Sequence, residues 1–170
     1  MAGISFFRNV GAYLYSVCAM VYNSKTAGAT AAVAGEIIDR LGTELHKAES
    51  GLVVVVGAGT IATNKLGQLL IEVLHSSDDG MDGAEVLCSS DQTGQGVPTT
   101  VVDGGSGAGV TGEVYAMQLA VPLAKALQYI QVRITPTMTN TTTDTLNFTA
   151  SLVGGGIPDL HPQSEQTPWV

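Results

Sequence analysis

The chain has 170 residues, of which 45% are hydrophobic and only 13% are charged. An average soluble domain has a charged share of about 25%, so much of this surface must be neutral and suited to contact with other proteins. The formal net charge of −8 argues against nucleic acid or a membrane as a partner, because both attract basic proteins. The length suits one domain with terminal extensions.

The sequence divides into three zones. Residues 1–34 predict an N-terminal arm and linker, residues 35–153 a β-sandwich domain, and residues 154–170 an irregular C-terminal tail whose prolines remove backbone donors. The apolar run Val10–Met20 within the arm is too short to span a bilayer. We expect the arm to pack on a neighbouring subunit or beneath the chain's own sandwich.

The central zone predicts a series of strands. Leu52–Val56 is continuous and valine-rich, which is typical of a strand that is buried on both faces. Leu66–His75 favours a strand over a short helix, because turn residues flank it. Ile130–Thr135 and Leu146–Leu152 alternate apolar and polar residues, the period of a half-buried strand. The other candidates are Glu36–Leu41, Ala84–Ser89, Val97–Val102 and Tyr115–Val121.

Together these segments predict an all-β fold, a jelly-roll-like β-sandwich of about eight strands separated by turns that are rich in Gly, Asp, Thr and Pro. One connection is unusual. The glycine-rich loop Asp103–Gly112 is not expected to hold a single conformation by itself, so we expect it to be either disordered or fixed by contact with a partner.

The segment Gly57–Ala62 matches the pattern GxGxxA after a hydrophobic strand, as in dinucleotide-binding folds. Asp78 or Asp79 lies about 20 residues downstream, where a ribose-binding acid would stand. The required helix and second strand would have to share Thr63–Ser77, and no further βαβ alternation follows. We therefore predict a hairpin turn in which Gly57 and Gly59 supply positive φ angles, and no enzyme or cofactor.

The remaining polar clusters are also better explained without chemistry. Asp78–Gly83 brings three carboxylates together, but it departs from the calcium-loop pattern and favours a surface turn; a metal at Asp78–Asp82 stays an open alternative. No histidine or cysteine has metal-ligand spacing, and the two thiols are predicted to be buried or free, with a disulfide as the alternative. These residues are His46, His75, His161, Cys18 and Cys88.

Three segments of the chain resemble the capsid cement (decoration) proteins of tailed phages. They are a strand that ends in a Ser-Asp-Asp-Gly turn (Leu70–Gly80), a Lys-x-x-x-Tyr-Ile-x-Val-x-Ile strand (Lys125–Ile134), and a final strand with a glycine-rich stop (Leu146–Gly156). The resemblance implies a protein that is present in the host cytoplasm during assembly. It would then bind the major capsid protein on the capsid exterior of the virion, as a homodimer or homotrimer.

Three other functions compete with the cement reading: another phage structural component such as a head–tail connector or tail protein, a ligand-binding β-sandwich, and a nucleotide-dependent enzyme. Aromatic residues in the arm and tail are the interface candidates, since such residues anchor protein contacts. The alternative for the arm is that it covers the sandwich of its own chain. The candidates are Phe6, Phe7, Tyr13, Tyr15, Tyr22 and Trp169.

Overall fold

The computed structural model describes residues 14–43, 45, 48–91, 93–138 and 143–155. All strand pairs among these residues are antiparallel, and a 3₁₀ turn at Leu123–Lys125 joins β7 to β8. The strands are β1 Leu14–Thr26, β2 Val33–Asp39, β3 Ser50–Ile61, β4 Leu66–Ser76, β5 Glu85–Ser89, β6 Thr99–Asp103, β7 Val110–Val121, β8 Tyr129–Met138 and β9 Thr145–Gly155.

The strands form two sheets that pack face to face. The first sheet has the order β1-β9-β3-β7, and the second has the order β2-β8-β4, with β5 and β6 both paired to the far edge of β4. If β5 and β6 count as one position, successive positions along the chain alternate between the two sheets, except that β4 and the β5/β6 position both belong to the second sheet. This double-sheet arrangement of eight positions is the architecture of a jelly roll. The all-β prediction is therefore confirmed.

The core lies between the sheets, and the strict alternation of β8 and β9 shows why. Every second residue of these strands is buried, and the residues between them are half-exposed. Phe148 and Leu152 of β9 face Ile71 of β4 and Ile134 of β8 across the sandwich, and each is at most 1% exposed. Burial of such side chains contributes about 1.5–3 kcal/mol each, so the sequence periods that predicted these strands also determine the core.

Strand β1 occupies residues that the sequence assigned to the N-terminal arm. It pairs with β9 along the edge of the first sheet, and Ala19 and Met20 enter the core. The register shifts between Cys18 and Met20 and again between Met20 and Asn23. Such bulges break the two-residue period, so the alternating pattern that identifies a strand is absent here.

The far end of the first sheet also extends beyond the predicted sandwich. Strand β9 continues to Gly155, whereas the sequence placed the start of the tail at residue 154. Gly154 is buried, and a Cβ there would meet the side chains of Leu45 and Ala48. The glycines at this point therefore let a loop pack against the strand, instead of ending it.

The predicted hairpin turn at Gly57–Ala62 is wrong. Both Gly57 and Gly59 lie inside β3, and neither has a positive φ. A Cβ on Gly57 would clash with the backbone oxygen of Asn147 and would lie 2.6 Å from the Tyr115 hydroxyl. Glycine is needed at this position because the neighbouring strands come close to its backbone. Since the segment is part of a strand, it forms neither the turn nor the helix that a nucleotide site requires.

Strand β3 is also buried on one face only, in contrast to the prediction for Leu52–Val56. Val53 and Val55 are fully buried, whereas Val56 is 44% exposed. A run of valines supplies core residues on the inner face of the strand and also makes its outer face apolar. The sequence cannot separate this arrangement from burial on both sides.

The glycine-rich loop Asp103–Gly112 is held by its own chain. Asn64 N donates to Gly105 O at 2.7 Å, Gly104 N donates to Lys65 O at 2.9 Å, and the Thr63 hydroxyl donates to Gly107 O at 2.6 Å. The β3–β4 turn therefore supplies the contacts that the sequence left to disorder or to a partner.

Candidate interaction surface

The outward side of the first sheet is a continuous surface without a charged residue, which we call the neutral face. Inward residues alternate with it along β3, β7 and β9. Its members are Ser16 and Cys18 on β1, Asn147, Thr149, Ser151 and Val153 on β9, Leu52, Val54, Val56 and Ala58 on β3, and Val114, Ala116, Gln118 and Ala120 on β7.

The strand register brings these residues into rows. Val56 lies opposite Ala116 of β7 on one side and opposite Thr149 of β9 on the other. The row of Val54 continues through Ser151 to Cys18 of β1. Because directly opposed residues of an antiparallel pair share a face, the rows form one surface across four strands.

Apolar side chains dominate the centre and one edge of the neutral face. Val56 is 44% exposed and Val114 is 80% exposed. The polar members are small or uncharged, and the Thr149 hydroxyl donates to the backbone oxygen of Met20 at 2.8 Å. Such a surface loses little hydration energy when another protein covers it, so it is suited to protein contact.

One edge of this surface is also open. Strand β7 pairs only with β3, so its outer edge has no strand partner within the described residues. The strand contains neither proline nor a basic residue, and Glu113 is its one charged residue. Exposed edges usually carry lysine, proline or other protection against pairing, which makes this strand an open template for a further strand.

The outward side of the second sheet has a different chemistry. Arg133 of β8 and Glu72 of β4 are register partners, and the Arg133 Nε lies 2.9 Å from Glu72 Oε2. Further along, the Gln131 side chain donates to Gly35 O at 2.8 Å, and the Gln68 amide donates to the Thr100 hydroxyl at 3.2 Å. These polar groups are paired with groups of their own sheet.

A loop of the same chain also touches the second sheet. A Cβ added at Gly96 would lie 3.9 Å from the side chain of Leu70, which points outward from β4 but is only 8% exposed. Asp91 holds this loop: its carboxylate accepts from the Thr93 hydroxyl at 2.7 Å, from Thr93 N at 2.9 Å and from Val97 N at 3.0 Å. These bonds, first that of the Thr93 hydroxyl, hold the pKa of Asp91 well below its usual range.

On the inner side of the first sheet, a tyrosine side chain lies over a glycine and forms a hydrogen bond to the strand beyond it. The Tyr115 hydroxyl of β7 passes over Gly57 of β3 and donates to Asn147 O of β9 at 3.0 Å. Burial raises the pKa of Tyr115 well above its usual range, so the phenol stays protonated as a donor. The bond links three adjacent strands directly beneath the neutral face.

The interface candidates named from the sequence are placed only in part. Tyr15 is half-buried on β1 and packs against the core, and Tyr22 on the same strand is 67% exposed. Phe6, Phe7, Tyr13 and Trp169 lie outside the described residues. The neutral face itself was missed, because outward valines look the same in sequence as core valines.

The groups considered for chemistry do not form a site in the part of the chain that the structure describes. That part holds no group of three His, Cys, Asp or Glu residues that could bind a metal. Asp78 Oδ1 accepts from Gly80 N at 2.9 Å, as in a surface turn. Cys18 is exposed and Cys88 is half-buried; both are free, and burial raises the pKa of Cys88 to about 11.

Two open depressions lie away from the neutral face. One is lined by Asn64–Leu66, Gln68, Thr137 and Met138 and the other by Arg40, Leu41 and Ala126–Gln128. Within the described part of the chain, no helix is long and apolar enough to cross a membrane.

The chain is similar to several virus structures. A structure of the infectious bursal disease virus Gx strain matches 88% of this chain at 12% identity, with a TM-score of 0.45. The VP2 subviral particle of infectious bursal disease virus matches 88% at 13% identity, with a TM-score of 0.43. Turnip yellow mosaic virus matches 85% of this chain and 81% of its own at 10% identity, with a TM-score of 0.28.

The chain spans only about one third of the two bursal disease virus chains, 33% and 34%. All three TM-scores lie below one half, so the assignment of the fold rests on the strand order described above. No protein-family model matches the sequence, and no curated protein matches it.

Proposed function

We propose that the chain is a structural virion protein that binds the outer surface of an assembled phage capsid and stabilises it. The observation that carries the proposal is the neutral face, a four-stranded surface with no charged residue on a chain of net charge −8. A protein that must sit in many copies on a crowded lattice needs a contact surface free of like-charge repulsion.

The physical basis of stabilisation is linkage. A protein that binds the assembled shell and not its separate subunits lowers the free energy of the shell, and the effect grows with the number of sites occupied. Contacts that are each modest add up when symmetry repeats them. The proposed partners are the major capsid protein and further copies of this chain, on the exterior of the capsid.

The first test compares virions with and without this chain. Particles that lack it should release DNA at a lower temperature, measured by a fluorescent dye that binds DNA, and purified chain added back should restore the higher temperature. An acidic, similar-sized protein that does not bind the shell is the control for addition. Equal heat resistance of both preparations would refute the stabilising role, and absence of the chain from purified virions would refute the virion role itself.

A second candidate is that the chain builds a shell itself. The observation in its favour is the eight-position jelly-roll order, an architecture that viral capsid domains share. Electron microscopy of the purified chain separates the two: closed particles formed by this chain alone would favour the shell subunit, whereas small oligomers that bind only to a preformed shell would favour the cement role.

A further inference from the structure

We infer that the neutral face is the surface at which two copies of this chain pack against each other, first sheet on first sheet, about a two-fold axis. This deepens the proposed function by naming the surface of self-association. The inference concerns the isolated chain, so its failure and that of the virion role are distinguishable.

Charge is the first reason for a second copy as the occupant. Each chain carries a net charge of −8, so a contact between two copies is least unfavourable through a surface that brings no like charges close together. The neutral face meets this condition across four strands. The outward side of the second sheet does not, since it carries Glu72 and Arg133 and a loop of its own chain.

Shape is the second reason. A two-fold contact places the same patch on both sides, so small residues must be available to receive larger ones. On the neutral face Ala58 lies opposite Val114, and Ala116 lies opposite Val56. Raised valines next to low alanines allow two such sheets to interdigitate, as the inner faces of a sandwich do at a separation of about 10 Å.

The available area is the third reason. Strands lie about 4.8 Å apart and every second residue lies about 6.7 Å along a strand, so the neutral face covers roughly 500 Å². Two copies would bury roughly 1,000 Å², which is the lower limit of specific interfaces. We therefore expect a dissociation constant in the micromolar range, which a repeated lattice would strengthen.

A matched pair of valines makes the test specific. Val56 on the neutral face is 44% exposed, and Val86 on β5 of the second sheet is 49% exposed. The same change to lysine at either position adds one charge at similar exposure. Thermal unfolding first establishes that both variants are folded; if Val56→Lys is not, Val114→Lys replaces it, because Val114 is 80% exposed.

The measurement is sedimentation equilibrium of the purified chain from about 1 μM to about 500 μM. The wild type and Val86→Lys should reach a mass twice the 17.5 kDa of the chain. Val56→Lys should weaken the dimer at least about tenfold, because lysine is desolvated in an apolar contact. A mixture of Val56→Lys and Val56→Glu should dimerise more strongly than either alone, because the mixed dimer carries opposite charges on its two facing surfaces and each pure dimer carries like charges.

Several outcomes would overturn the inference. A wild-type chain that stays monomeric at every concentration leaves the face to another protein or to another part of the chain. Equal dimerisation of wild type and Val56→Lys would place the contact elsewhere. Equal loss in Val56→Lys and Val86→Lys would show a general effect of charge instead of a specific surface.

Discussion

The outward sides of the two sheets differ in chemistry and in how much of their apolar surface the chain itself covers. The second sheet presents paired polar groups and lies against the loop that Asp91 holds, which keeps Leu70 only 8% exposed. The first sheet leaves Val56 and Val114 open to solvent, with no charged residue among the members of the neutral face. The second sheet has partners within the chain for its polar groups and for Leu70, although Val86 there is 49% exposed, whereas the uncharged outer side of the first sheet is suited to partners from outside.

The largest expected loss of stability comes from a substitution inside the first sheet. Gly57→Ala places a Cβ against the backbone oxygen of Asn147 and the Tyr115 hydroxyl, so the strands must move apart. Overpacking of this kind should lower the free energy of unfolding by about 2–3 kcal/mol, measured by urea denaturation.

Gly107→Ala is the control for this change. A Cβ at Gly107 meets nothing within 4 Å, and its φ is not positive. Its free energy of unfolding should stay within about 0.5 kcal/mol of the wild type. Equal stability of both variants would contradict the close approach at Gly57.

A smaller effect is expected from a substitution that exposes apolar surface on the second sheet, as on the first. Asp91→Ala removes the acceptor for Thr93 and Val97, which loosens the loop and uncovers Leu70. The variant should bind an apolar fluorescent dye more strongly and unfold at a lower temperature. Asp103→Ala removes a similar bond to Gly105 N and should leave dye binding unchanged, because that loop is not over Leu70.

The pH dependence gives the sign of the Asp91 contribution. Its pKa is lowered in the folded state, so its stabilisation is complete above the unfolded pKa of about 3.9 and is lost as pH falls toward the folded value. The difference in Tm between wild type and Asp91→Ala should therefore be largest near about pH 6 and shrink by about pH 3. A constant difference across this range would show that the carboxylate charge is not involved.

The smallest effect concerns the ion pair of the second sheet. Arg133 and Glu72 are 35% and 15% exposed, so solvent screens their attraction. Glu72→Gln should cost less than about 1 kcal/mol, and a double-mutant cycle with Arg133→Gln measures the coupling. A coupling above about 2 kcal/mol would mean that the pair holds the sheet, rather than merely making its outer side polar.

Predictability from the sequence followed the regularity of each strand. Strands β8 and β9 alternate without interruption, and their predicted segments lie inside the observed ones. Strand β1 was missed because its register shifts twice, and β2 begins at Val33, earlier than the predicted Glu36. A bulge interrupts the alternation of apolar and polar residues, although the strand stays paired with its neighbour. The sequence pattern therefore does not reveal the strand at such a position.

The neutral face could not be predicted for a related reason. Val53 and Val56 are the same residue three positions apart, yet the first is buried and the second is 44% exposed. Only the position of β3 within the sandwich assigns one valine to the core and the other to the surface. The interface candidates in the arm and tail remain predictions.

The sequence alone determined the all-β class, most of the strands and the neutral, acidic character of the chain, because periodicity and composition are local properties. The tertiary structure decided which strands pair, why Gly57 must be glycine, and which sheet is left uncovered. These depend on residues far apart in the sequence, such as Tyr115 reaching Asn147 across β3. The pattern along one strand shows which of its faces is apolar, but it does not specify which strand pairs with it.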